Sequence, residues 1–194
     1  SFEDEIIEDD NLYSTINKMK DKFEEIQETH TMTLQDIIEF YSIIFEIDVD
    51  TVSSFFPFRT FFDIFEMNYP ENSDLIYLLL LLIGHSSMGI YFDPDSIINE
   101  TDISILIDLL SFIQFTSCSL CIIASICYKN QNYIQEFCEK GLLNALTEID
   151  AADHATSNFL AFLSESSLSE SELTALSTFI EPLVLSDNSQ IVLN

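Results

Sequence analysis

The chain has 194 residues, 47% of them hydrophobic and 21% charged, with only three glycines and four prolines. That length and apolar content suit one globular domain with a sizeable core, and the scarcity of turn-forming residues argues against sandwiches and barrels. Thirty-four acidic residues face six basic ones, a net charge of −28, which repels phosphate backbones and anionic lipid and so speaks against direct nucleic-acid binding.

Residues 1–10 carry six acids around Phe2, Ile6 and Ile7 and read as a flexible acidic arm. Over 11–32 a capping helix is expected. Asn11 can start it, and Leu12, Ile16, Met19, Phe23 and Ile26 recur at helical spacing. The stripe is too short for a coiled coil. Its expected work is to cover the open end of the next layer, with dimerisation as the alternative.

From residue 33 to residue 185 helical segments return about every 40 residues. One set covers 33–46, 73–85, 117–128 and 153–164, and a second covers 58–67, 102–113, 142–149 and 171–185. Within the first set, Leu34, Ile37, Ile38, Tyr41 and Ile44 are expected to face the core. The segment 73–85 has almost no polar face and is expected to lie in the middle of the stack, the alternative being that its surplus apolar surface meets a partner. Leu75 to Ile83, the longest apolar run, is nine residues, against roughly 20 for a bilayer span. Six phenylalanines at 55, 56, 58, 61, 62 and 65 cannot all face inward on one helix, so some are expected at an interface. Asp93-Pro94 has the form of a helix start, a capping Asp before Pro at the first helical position. A helix is expected from Asn132 to Lys140, closed by Gly141. Residues 186–194 read as a C-terminal tail. Equally spaced helices that cannot bury their apolar faces alone are the mark of a solenoid.

The stretch 118–149, CSLCIIASICYKNQNYIQEFCEKGLLNALTEI, resembles an armadillo-repeat junction. A long helix of small and aliphatic residues is followed by a polar loop starting at Asn130 or Asn132. Ile134, Phe137, Gly141, Leu142, Leu143, Leu146 and Ile149 then supply the family rhythm, with Gly141 at the sharp turn. The resemblance is best over 103–149 and is one of periodicity elsewhere. It implies an all-α, right-handed solenoid of about four armadillo-like repeats with an N-terminal capping helix. HEAT repeats and an irregular helical bundle are the alternatives. The family's third helices line a concave groove that binds extended peptides or partner helices. Its nuclear import adaptors hold basic peptides there with a Trp and Asn ladder. This chain has no Trp, so only the generic scaffold role carries over.

Catalytic signals are missing from the sequence. His30, His85 and His154 stand in no motif with Ser or Cys, and neither Gly-x-Ser-x-Gly nor His-Glu-x-x-His occurs. Ser87-Met88-Gly89 beside His85 reads as a helix exit. No Gly-rich phosphate loop or calcium loop is present, and carboxylate pairs carry no meaning among so many acids. Cys118, Cys121, Cys127 and Cys138 are spaced C-x2-C-x5-C-x10-C, but Cys118 and Cys121 lie inside an apolar helical run, so they read as reduced core thiols and not as zinc ligands. Asn99-Glu100-Thr101 matches the glycosylation tripeptide, which without an export pattern is accidental. No catalytic residue, cofactor or metal is expected, and the cytoplasm or the nucleus is the expected location.

What remains is a binding surface. Gln35, Glu39, Ser42 and Glu46 follow one another at spacings that place them on one helix face. With Tyr128 on 117–128 and His154 and Asn158 on 153–164, they would line a groove for a basic or polar segment of a partner protein. The expected function is a non-catalytic scaffold or adaptor presenting this acidic groove to a basic or amphipathic segment. The alternative is a self-associating module using the 12–26 stripe and the Phe cluster.

Overall fold

A computed structural model describes residues 14, 17, 18, 20–29, 31–46, 58–90 and 92–149, with residues 41 and 43–46 described by backbone alone. Among them every regular element is helical and no strand occurs, in agreement with the all-α expectation. The chain divides into two compact units, Ser1–Phe92 and Asp93–Asn194.

In the first unit, α1 (20–29) leads into α2 (Leu34–Glu46), α3 (Arg59–Asn68) and α4 (Ser73–Ser86). The start of α2 is fixed by a reciprocal cap. The Asp36 backbone N–H donates to Thr33 Oγ1 at 3.2 Å, and the Thr33 backbone N–H donates to Asp36 Oδ2 at 2.8 Å. Two orphan donors of the first turn are satisfied this way. Asn72 caps α4 through its side-chain oxygen, which accepts from the Leu75 N–H at 3.4 Å. Helix α4 packs against both α2 and α3. It buries Leu75, Ile76, Leu79, Leu80, Leu82 and Ile83, which explains its missing polar face and meets the expectation for 73–85. Each such side chain contributes about 1.5–3 kcal/mol on leaving water.

Helix α3 has no side-chain cap, and its position is set by packing. Phe58, Phe61, Phe62 and Phe65 are all buried. The expectation of an exposed Phe interface fails for these four, while Phe55 and Phe56 lie outside the described residues. All four fit because the buried arc of α3 is wide, taking in Thr60 and Ile64 as well. Its narrow polar stripe is Arg59, Asp63 and Glu66. The Arg59 guanidinium joins both carboxylates, at 2.7 Å to Asp63 Oδ1, and lies 5.8 Å from the centre of the Phe62 ring. Phe23 of α1 inserts between Phe40 and Phe61, with ring centres 6.0 and 5.4 Å away in edge contacts. Gln27 Nε2 donates to Thr60 Oγ1 at 3.3 Å. The N-terminal helix therefore packs on both α2 and α3.

In the second unit, α5 (Pro94–Ile97) is capped by Asp93 with Pro94 at the first helical position, as expected. Helix α6 (Glu100–Asp108) opens with a full capping box. Asn99 Oδ1 accepts the N–H groups of Thr101 (2.7 Å) and Asp102 (3.0 Å), while Asp102 Oδ2 accepts that of Asn99 (2.9 Å). The Asn99 oxygen is thus engaged as a helix cap. The single helix expected over 102–113 is instead interrupted. A 3-10 turn, Leu109–Ser111, follows α6, and Phe112 is extended before α7 (Ile113–Lys129) begins. Side-chain hydroxyls compete for the backbone there. Ser111 Oγ donates to the Asp108 carbonyl at 2.7 Å, and Thr116 Oγ1 donates to those of Leu110 (3.2 Å) and Phe112 (3.1 Å). The tighter turn also buries Leu109 and Leu110 side by side.

Helices α8 (Asn132–Glu139) and α9 (Leu142–Glu148) meet at Gly141, whose φ of +105° only glycine adopts readily. Asn130 stands just before α8 and its Oδ1 accepts the Asn132 N–H at 3.0 Å, while the cap position itself is Gln131, without a side-chain hydrogen bond. Helix α6 packs on α7 and α9, all three meet the 3-10 turn, and α8 packs on α7 and α9. The segments 1–10, 153–164, 171–185 and 186–194 lie outside the described residues.

Candidate functional site

Of the side chains described on α2, Ile37 and Phe40 are buried, and the side opposite them meets solvent; Tyr41 and Ile44, expected in the core, have side chains outside the described residues. Gln35, Glu39 and Ser42 are exposed, as expected. Gln35 Nε2 donates to Glu39 Oε1 at 3.0 Å one turn along, and Ser42 Oγ donates to the Ile38 carbonyl at 2.8 Å. Glu46 closes the helix. Leu34 and Ile38, expected in the core, are instead 40% and 48% exposed. The reason is angular. A residue at 34 or 38 stands some 90–130° around the helix from the direction midway between 37 and 40, well outside the arc those two bury. The outer face of α2 is therefore mixed, with Gln35, Glu39 and Ser42 beside an apolar edge.

Helix α1 adds charge next to it. Phe23 and Ile26 are buried, while Asp21, Glu24, Glu25 and Glu28 on the opposite side are exposed. The spacing of these acids is readable in the sequence, but it goes unnoticed beside so many other carboxylates. The seam between α1 and α2 is closed by Lys22, whose ammonium lies 3.1 Å from Glu25 Oε2 and 3.3 Å from Asp36 Oδ1. Hydrogen bonds to Glu25 and Asp36 hold the Lys22 pKa above its ordinary value. Burial pushes the Asp36 carboxyl up, but hydrogen bonds from Thr33 and Lys22 outweigh it and the net shift is downward.

Tyr128, on α7 in the second unit, is 76% exposed. The outer side of α7 runs through Ile113, Ser117, Cys121, Ser125 and Tyr128, and the helix carries no carboxylate from end to end. His154 and Asn158, proposed for the same groove, lie outside the described residues. Of the proposed site residues the structure thus brings together Gln35, Glu39 and Ser42, along about two turns of α2.

The four cysteines are free thiols. Cys127 is buried, and burial pushes its pKa well up; Cys118 is half-buried and shifted the same way. Cys121 is exposed, which corrects the expectation of a core thiol there. It falls on the arc of α7 opposite Leu120, Ile123 and Cys127. Tyr133 ties α8 to α5, its hydroxyl donating to the Pro94 carbonyl at 3.2 Å. Burial, with Asp95 and Glu136 nearby, pushes its pKa up to about 12. His85 ends α4, and Ser87 follows as its cap with Oγ donating to the Gly84 carbonyl at 2.9 Å, so the Ser87-Met88-Gly89 stretch is a helix exit. Among the described residues no three His, Cys, Asp or Glu side chains converge to hold a metal ion, and no helix is long and apolar enough to cross a membrane. No protein-family model, curated protein or solved structure matches the chain.

Proposed function

We propose that this protein is a non-catalytic scaffold that presents an acidic helical surface to a basic or amphipathic segment of a partner protein. In this reading its helices form an armadillo-like solenoid of about four repeats capped by α1. The observation that carries the reading is the outer surface of α1 and α2. Asp21, Glu24, Glu25, Glu28 and Glu39 are exposed on two helices locked together by Phe23, Phe40 and Lys22. A fixed row of like charge raises the local concentration of cationic partners and steers them inward. The glycine turn between α8 and α9 supports the repeat reading, since it falls where the resemblance needs it. Self-association through the 12–26 stripe draws no such support, because Phe23 and Ile26 are already buried within the chain.

The test is binding of a fluorescent oligolysine to the full chain across a salt series. Affinity should fall steeply as salt rises, because exposed charges are screened over about 8–10 Å at moderate ionic strength. Glu39→Lys should weaken binding and flatten the salt dependence. Binding that ignores both salt and Glu39→Lys would remove the charge argument.

A further inference from the structure

Leu34 and Ile38 restrict which kind of partner the α2 surface can take. Successive strips on these helices differ in chemistry. The solvent side of α1 carries Asp21, Glu24, Glu25 and Glu28. Next comes the Lys22–Asp36 seam, then Gln35 and Glu39, then Ser42, and last the apolar edge of Ile38 and Leu34. The order follows from helical geometry. Asp36 faces α1, Glu39 stands about 60° from it around α2, and Ile38 and Leu34 lie on the far side. Acid therefore runs lengthwise along one border and hydrocarbon along the other.

Resting on the acidic-surface reading above, we propose that this face receives a cationic amphipathic helix. Its apolar stripe lies on Leu34 and Ile38, and its Lys or Arg stripe faces Glu39 and the carboxylates of α1. An extended basic peptide is a poor fit. Successive side chains of a strand point to opposite faces, so it cannot offer a charged and an apolar strip side by side. A helix can, because residues three and four apart form continuous longitudinal strips. Leu34 and Ile38, one turn apart, match that period. Charge complementarity fixes the sign, since the helix has to bring cations to the border formed by Glu39 and α1.

Two labelled peptides of about 18 residues, five helical turns, provide the test. Both contain only Leu and Lys in the same proportions. One places Leu at spacings of three and four, and its isomer scatters Leu around the helix. By fluorescence anisotropy on the full chain, the striped peptide should bind roughly tenfold more tightly than the scattered one. The double variant Leu34→Gln, Ile38→Gln should erase that advantage. Both side chains are exposed, so helicity and Tm should hold. Met67→Gln on α3, also at an exposed position, should leave the advantage intact. Equal binding of the two peptides, or an advantage that survives the double variant, would overturn the amphipathic-helix proposal while the acidic surface stands. No binding of either peptide would sink the acidic-surface reading, and this proposal with it.

Discussion

The first unit places its uncapped helix α3 with rings, and the second places its helices with branched aliphatics and local turn chemistry. In the first, Phe23, Phe40 and Phe61 meet edge to face, and Phe58 lies tilted against Phe61 and edge to face with Phe92 at 5.7 Å. Helix α3, at the centre of that cluster, has no side-chain cap. In the second, Ile103, Leu106, Leu120, Ile123, Leu142 and Leu146 form the interior. Its helix boundaries are marked by Asp93-Pro94, by the Asn99–Asp102 box and by Gly141. Similar pairs of stacked helices are thus specified in two ways. One relies on a few large side chains whose fit sets the geometry. The other relies on boundary signals that act before any tertiary contact exists.

The largest expected effect tests the ring cluster. Phe61 is fully buried against three other rings, and Phe61→Ala should cost about 3–5 kcal/mol in urea unfolding, from lost burial and the remaining void. Phe61→Leu separates size from shape. It keeps most of the volume and should recover most of the loss, short by about 0.5–1.5 kcal/mol for the forfeited edge contacts. If Phe61→Leu matches the parent chain, the rings serve only as bulk, and the contrast between the two units dissolves.

A smaller effect tests the boundary signals. A Cβ built on Gly141 meets nothing within 4 Å, so any cost of Gly141→Ala comes from backbone strain alone. At a positive φ that is about 1–2 kcal/mol. Gly141→Asn should cost less, since asparagine tolerates left-handed backbone. Equal stability of Gly141→Ala and the parent in thermal unfolding would show that the α8–α9 corner is held by packing, like α3.

The same contrast explains what the sequence discloses. In the second unit Asp93-Pro94 and Gly141 are local devices whose mechanism can be read from a few letters, and both corners are legible. The break at Phe112 is not, because it depends on which carbonyls the Ser111 and Thr116 hydroxyls capture. In the first unit the apolar period locates α2, α3 and α4 to within a residue at each end. It cannot tell how wide an arc each helix buries. That width is a tertiary property. It takes in all four described phenylalanines on α3, and on α2 it leaves Leu34 and Ile38 exposed. The candidate surface suffers most from this. Gln35, Glu39 and Ser42 are legible as a polar face, while the apolar edge beside them reads as core.

The smallest expected effect concerns the seam that makes the α1–α2 surface a single object. The Asp36 carboxyl has a folded-state pKa below its ordinary value of 3.8. A depressed carboxylate contributes stability that is present above the unfolded pKa and is lost as pH falls through the folded one. The contribution should therefore be whole at neutral pH and fade only below about pH 4. In the parent chain, acid unfolding in that window should be accompanied by loosening of α1, visible as faster amide exchange over residues 20–29. Asp36→Asn cannot titrate, and its stability should be lower at neutral pH but closer to the parent's at low pH. Two curves that stay parallel from pH 7 to pH 3 would mean that Lys22 and Thr33 contribute nothing through this carboxylate. Phe23 and Ile26 alone would then dock α1, and the polar seam would offer no control over the acidic surface. Convergence of the curves would tie the position of the acidic row on α1 to the protonation of one residue on α2.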